Sequence, residues 1–179
     1  MKSKYVILAS ALLISVSSFA QKDQIKAAEK ALKNGNTAEA LATLKQAEAT
    51  IGAATEAEKA QYYFVKGNSH ADLANKKMEM TKNNVEAGKA YQQVLAIEKA
   101  SGKSKYTADA QIGLAKVKDD LLNAAQIEAK KENKEGSLNA ANLLYASYEL
   151  DKTNMQNLYY AASYYMNAED YDKALQYFE

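Results

Sequence analysis

Apolar residues recur at helical spacing along the chain beyond residue 20, and small ones alternate with large ones in a regular way. Leu158, Ala161, Ala162 and Tyr165 fall at i, i+3, i+4 and i+7, one face of a helix. The polar run 167–170 interrupts that face. Ala174 and Phe178, four apart, then define the inner face of a following helix, with Tyr171 expected in the turn and packed back on the first. Earlier segments repeat the theme. Ala140, Leu144 and Ser147 share a face that closes at Leu150-Asp151; Ala27, Ala28 and Ala31 precede Gly35-Asn36, with Ala40, Leu44 and Ala47 after it. Tyr63 and Gly67 mark another first helix, and Ala87, Tyr91, Val94 and Leu95 its partner.

This patterning predicts helices over residues 22–34, 37–51, 53–80, 84–100, 106–133, 137–150, 154–167 and from 171 onward. Thr37 is the expected cap of the second helix. Residues 75–83 read as an insertion between the halves of a helix pair, with the first helix running into a solvated end. Residues 106–133 read as one helix, because Leu121-Leu122 continues the pattern with no Gly, Pro or Asn before it. Gly35, Gly52, Gly102 and Gly136 stand between helical stretches, and the absence of proline suits an all-helical chain.

The pattern L-x-x-A-A-x-x-Y-x₅-Y-x-x-A-x-x-x-F over residues 158–178 resembles a tetratricopeptide repeat, a helix–turn–helix unit with small and large residues at fixed offsets. Ala140 lies 34 residues before Ala174, the period of that family. The neighbouring helix departs from it: Ala124 and Ile127 fit, but Glu128 and Lys131 occupy places of a small residue and an aromatic. Lys152 stands where the family usually has proline. The resemblance implies an all-α fold of antiparallel helix pairs stacked as a right-handed solenoid, whose concave groove is lined by the first helix of each unit. Carried onto the last unit, the partner-facing side holds Tyr159, Ser163, Met166 and Asn167; carried onto the unit beginning near Tyr63, it holds Phe64, Asn68 and Asp72. Neither set matches the lysine/arginine carboxylate clamp of chaperone-binding members, so capture of an acidic C-terminal peptide is not implied. Glu179 falls inside the second helix of a unit, so the repeat domain, residues 21–179, is expected to be truncated within its last repeat.

The first twenty residues differ in kind. Lys2 and Lys4 precede an apolar run over residues 5–16, and Ser18-Phe19-Ala20 forms a small-x-small site before Gln21. Residues 1–20 therefore read as a secretory signal peptide. No cysteine follows the apolar run, which excludes a lipid-modified lipoprotein, and no later stretch is apolar enough to span a bilayer. The signal end, the lysine-only basic usage and the many asparagines resemble exported proteins of the Bacteroidetes. The expected location is periplasmic, with secretion as the alternative.

Charge and chemistry narrow the function further. The chain has 23 basic residues, all lysine, against 22 acids. Losing Lys2 and Lys4 leaves the mature part near neutrality, which argues against nucleic acid or an anionic membrane surface as partner. Arginine, the usual residue for bidentate anion capture, is absent. The single histidine, His70, shares a helical face with Tyr63 and Gly67 and reads as a packing residue. The acidic pairs Asp119-Asp120 and Glu169-Asp170 are adjacent rather than spaced on one face, so they suggest neither a catalytic dyad nor a metal cage. Phosphate-loop and hydrolase motifs are lacking, and neither cofactor nor metal is expected. Of 13 tyrosines, the cluster from Tyr145 to Tyr177 includes the pairs Tyr159-Tyr160 and Tyr164-Tyr165. Neighbours on a helix diverge by about 100°, so some of these rings must face a groove or solvent. The reading is a non-catalytic exported scaffold that holds a protein or peptide partner. The alternative is a helical substrate-binding or uptake component whose tyrosines stack on a sugar or peptide; a helical hydrolase ranks last.

Overall fold

The computed structural model describes residues 21–178, and every regular element among them is helical. The expected export signal, residues 1–20, lies outside the described residues. Helix α1 covers residues 21–33, followed by α2 (Thr37–Glu48), a short 3₁₀ turn (Ile51–Ala53), α3 (Glu56–Asn75) and α4 (Met80–Ser101). Then come α5 (Thr107–Ala129), α6 (Lys134–Leu150), α7 (Met155–Asn167) and α8 (Tyr171–Phe178). No described helix is long and apolar enough to cross a membrane.

Local chemistry sets these boundaries. Gly35 takes φ +81° after α1, and Gly102 takes φ +67° as the left-handed cap of α4. Helix α3 starts later than the periodicity suggests because Thr55 and Glu58 form a reciprocal capping box: Thr55 N–H donates to Glu58 Oε2 at 3.0 Å, and Glu58 N–H to Thr55 Oγ1 at 3.3 Å. Asn133 caps α6 by accepting from Gly136 N–H (2.8 Å), and Asn154 caps α7 by accepting from Asn157 N–H (3.3 Å). The expected insertion is a tight turn over residues 76–79 with Lys77 and Glu79 left-handed, and α4 already begins at Met80. The uninterrupted helix expected over 106–133 is present as α5. Thr37 is not a cap. Asn36 holds that position without a side-chain bond to the helix backbone, and Thr37 is buried with its hydroxyl donating to Asp72.

Successive helices run antiparallel, as the cross-helix pairs show: when one residue number rises, its partner's falls. Between α3 and α4, Asn68 meets Tyr91 and His70 meets Asn83. Between α5 and α6, Lys118 meets Asp151 and Glu128 meets Asn139; between α6 and α7, Asn142 meets Tyr165 and Ser147 meets Asn157. Small residues permit the close approaches. Tyr91 is wedged between Gly67 of α3 and Gly113 of α5, where an added β-carbon would lie 2.7 Å and 2.5 Å from the ring. Gly88 of α4 similarly receives Leu150 of α6.

The apolar interior falls into two clusters. The larger runs from α4 to α8 and includes Tyr91, Val94, Val117, Leu121, Leu144, Ala161, Tyr165 and Ala174. The smaller joins Ile25, Ala28, Leu44 and Ala47 of the first hairpin to Tyr62 and Val65 of α3. Tyr63 packs against both, so α3 is the seam between them. Polar ties reinforce the smaller interface: Gln61 Nε2 donates to Glu29 (2.7 Å), and Lys66 reaches Glu48 (3.2 Å). Tyr62 is the fully buried ring of that helix, beside the partly buried Tyr63. One aromatic expectation needs correction: Tyr171 does not pack back but stands 59 % exposed.

Candidate binding groove between α5 and α7

Helices α5 and α7 both pack on α6. Between them opens a groove of about 430 Å³. Its lining comprises Leu122, Ala125 and Gln126 of α5, Leu144 of α6, Asn154 at the cap of α7, and Gln156, Asn157, Tyr160 and Tyr164 along α7. Gln156, Tyr160 and Tyr164 are four apart and form one ladder on the helix surface. Gln156 Nε2 donates to the Tyr160 hydroxyl at 3.0 Å, which steadies the lower part of that ladder.

The floor is more tightly held. Asn157 is buried, and its Nδ2 donates to Oγ of the buried Ser147 on α6 at 3.1 Å. Its Oδ1 accepts from no described residue, so the amide offers the groove an acceptor that is held in orientation from behind. The nine lining side chains include no lysine, histidine or carboxylate. They supply carboxamides that both donate and accept, two phenols, and apolar surface from Leu122, Ala125 and Leu144. Such a lining suits an uncharged polar ligand with some apolar surface. Among the described residues no group of three or more His, Asp or Glu side chains is placed to hold a metal ion.

The residues singled out from the sequence lie elsewhere. Tyr159 is exposed and meets Phe178 of α8 edge-on, with ring centroids 5.6 Å apart and planes 69° apart. Ser163 Oγ donates to the Tyr159 carbonyl (3.0 Å), while Met166 and Asn167 are exposed at the end of α7. Tyr171 and Leu175 of α8 are exposed as well. On α3, Phe64 stacks on Tyr106 at 4.7 Å, and Asn68 Oδ1 accepts from the Tyr91 hydroxyl at 2.8 Å. Asp72 accepts from Lys76 Nζ (2.6 Å) and from the Thr37 hydroxyl, and these partners hold its carboxyl below the usual aspartate range. The three α3 side chains are thus engaged by α2, α4 and the start of α5. None of the seven lines the α5–α7 groove. His70 is half-buried, with Nδ1 2.8 Å from Asn83 Oδ1.

Sequence reasoning missed Gln126, Gln156, Asn157 and Tyr164, and left Tyr160 open between packing and a binding surface. The signal that finds Gln156, Tyr160 and Tyr164 is the i, i+4, i+8 run from Gln156, a polar-aromatic stripe beside the apolar stripe of Leu158, Ala161 and Tyr165. No family model, no curated protein and no solved structure matches the chain.

Proposed function

We propose that this chain is a non-catalytic interaction module of the tetratricopeptide type, exported to the periplasm, that holds a protein or peptide partner on the concave side of its stacked helix pairs. In this reading the pairs α1–α2, α3–α4, α5–α6 and α7–α8 are successive units of a right-handed solenoid. The observation that carries it is the groove between α5 and α7. It lies between the first helices of adjacent units, where such arrays take their ligands, and its lining offers hydrogen bonds and aromatic surface. Export follows from the basic start, apolar run and small-x-small site of residues 1–20.

The test is site-specific photo-crosslinking in cells that make the full chain. A photoreactive phenylalanine analogue at Tyr160 is expected to trap a discrete polypeptide in the periplasmic fraction. The same analogue at Ile112, an exposed position on α5 outside the groove, is expected not to. Equal trapping at both positions, or none at Tyr160, would refute the groove as the partner site. Intact mass of the exported protein checks the leader: the mature chain should begin at Gln21.

A further inference from the structure

Resting on that reading, we infer that the α5–α7 groove takes an extended, uncharged polypeptide segment with apolar side chains at alternate positions, and that Asn157 Oδ1 accepts one of its main-chain N–H groups. Charge comes first. None of the nine lining side chains is charged, so an ionic group on the ligand would enter with no counter-charge to offset its desolvation. An uncharged segment avoids that cost.

Spacing comes second. Tyr160 and Tyr164 are four residues apart on α7, a separation of about 6 Å along the helix axis. Alternate side chains of an extended peptide are about 6.6 Å apart on one face. A segment lying along α7 therefore brings successive same-face side chains into register with the two rings and with Leu122 and Leu144 opposite. Hydrogen bonding comes third. An extended segment brings its own N–H and C=O groups, which cannot be buried unpaired. Asn157 offers an acceptor whose orientation is set by Ser147 behind it, and Gln126 and Gln156 carry amides able to donate or accept at either side. The positioning role of Ser147 explains why a buried serine of α6 faces the base of α7.

The experiment uses the mature chain and a panel of short fluorescein-labelled peptides. The parent peptide alternates leucine with threonine. Two counterparts replace the central leucines, whose side chains face the groove, by glutamate or by lysine, and a third is the parent with its central amide nitrogens methylated. Fluorescence anisotropy is expected to show binding of the parent, with both charged counterparts and the methylated peptide weaker by about tenfold or more, the loss expected for one buried polar mismatch. Asn157→Asp keeps the shape and an acceptor but adds a charge, and should turn the preference toward the lysine peptide. Tyr160→Ala, at a ring 44 % exposed, should weaken the parent by a similar factor while the melting curve stays near that of the unaltered chain. A parent that fails to bind, equal binding of charged and uncharged peptides, or an unaltered preference in Asn157→Asp overturns the inference. Crosslinking at Tyr160 stands apart from these results: a trapped polypeptide with a failed panel leaves the interaction module intact and removes only this ligand class.

Discussion

The Tyr91 ring lies so close to the backbone of Gly113 that a β-carbon there would sit 2.5 Å from Cζ. A β-carbon at Gly67 would likewise sit 2.7 Å from the same ring, and the hydroxyl is tied to Asn68 Oδ1 at 2.8 Å. A tyrosine of α4 is thereby clamped between α3 and α5, and its size sets the separation of those two helices. The ring cannot swing away from either glycine without losing the Asn68 bond or striking the other helix.

Alanine at these glycines brings two effects of opposite sign. Helix propensity favours alanine by about 1 kcal/mol. Overpacking against a pinned ring costs about 1–3 kcal/mol. Gly113→Ala and Gly67→Ala should therefore lower stability on balance. Gly52→Ala, which meets nothing within 4 Å, should be neutral or slightly favourable. Urea denaturation of the three variants checks this, and a stabilised Gly113→Ala contradicts the clamp.

Buried Glu98 joins the end of α4 to the start of α5. Both carboxylate oxygens lie 3.0 Å from Tyr106 N, and Oε2 also accepts from Thr107 Oγ1 at 2.6 Å. Glu98→Ala removes charge-assisted bonds at a helix start, and a loss of about 1.5–3 kcal/mol is expected. Glu98→Gln, which keeps one acceptor oxygen, should lose less. Hydrogen exchange at the Tyr106 amide, faster in Glu98→Ala, is the local readout.

Acid should loosen the first hairpin. The Lys76 and Thr37 bonds lower the Asp72 pKa, and the Lys33 and Gln61 bonds lower that of Glu29. Folded-state pKa values below the unfolded ones mean stability that is present above about pH 4–5 and lost as pH falls through the lowered values. Asp72 and Lys76 are well exposed, so the effect is small and screened by salt. Exchange in α1 and α2 should rise on acidification, and Asp72→Asn should reduce that pH dependence.

Alkali acts through the buried tyrosines. Burial pushes the Tyr91 and Tyr165 hydroxyls up to about 12 each, with Tyr177 and Asp170 adding to the effect at Tyr165. Raised folded values mean stability that is complete below about pH 10 and lost as pH rises toward 12. Absorbance titration should show exposed tyrosines ionising first and the remainder only with unfolding. Tyr91→Phe should flatten the alkaline slope of the unfolding free energy.

The rings of α7 should separate by function. Tyr165 is 2 % exposed, donates to Asn142 Oδ1 at 2.7 Å and lies beneath Lys173 Nζ. Tyr165→Ala should cost about 3–5 kcal/mol. Tyr160→Ala should leave the melting temperature within a few degrees of the parent chain and abolish trapping of the partner by the photoreactive analogue placed at Gln156, on the same groove.

Helix content and hairpin order were legible in the sequence because they rest on local rules. The small-and-large periodicity marked the faces, Gly35 and Gly102 marked turns, and an unbroken pattern made α5 one helix. Ala140, Ala161, Ala162 and Ala174 were likewise recognisable as contact positions, and all four are fully buried. Tertiary structure alone decided which way the remaining faces point. Tyr159 and Tyr160 carry the same side chain about 100° apart, so sequence pattern could not say which enters the groove. That choice came from how α7 lies on α6, with Asn157 against Ser147 and Tyr165 against Asn142. Phe64, Asn68 and Asp72 likewise form a plausible open stripe until Tyr106, Tyr91 and Thr37 are brought to them from elsewhere in the chain. Periodicity reports which residues share a face of their own helix; whether another helix covers that face depends on contacts distant in sequence.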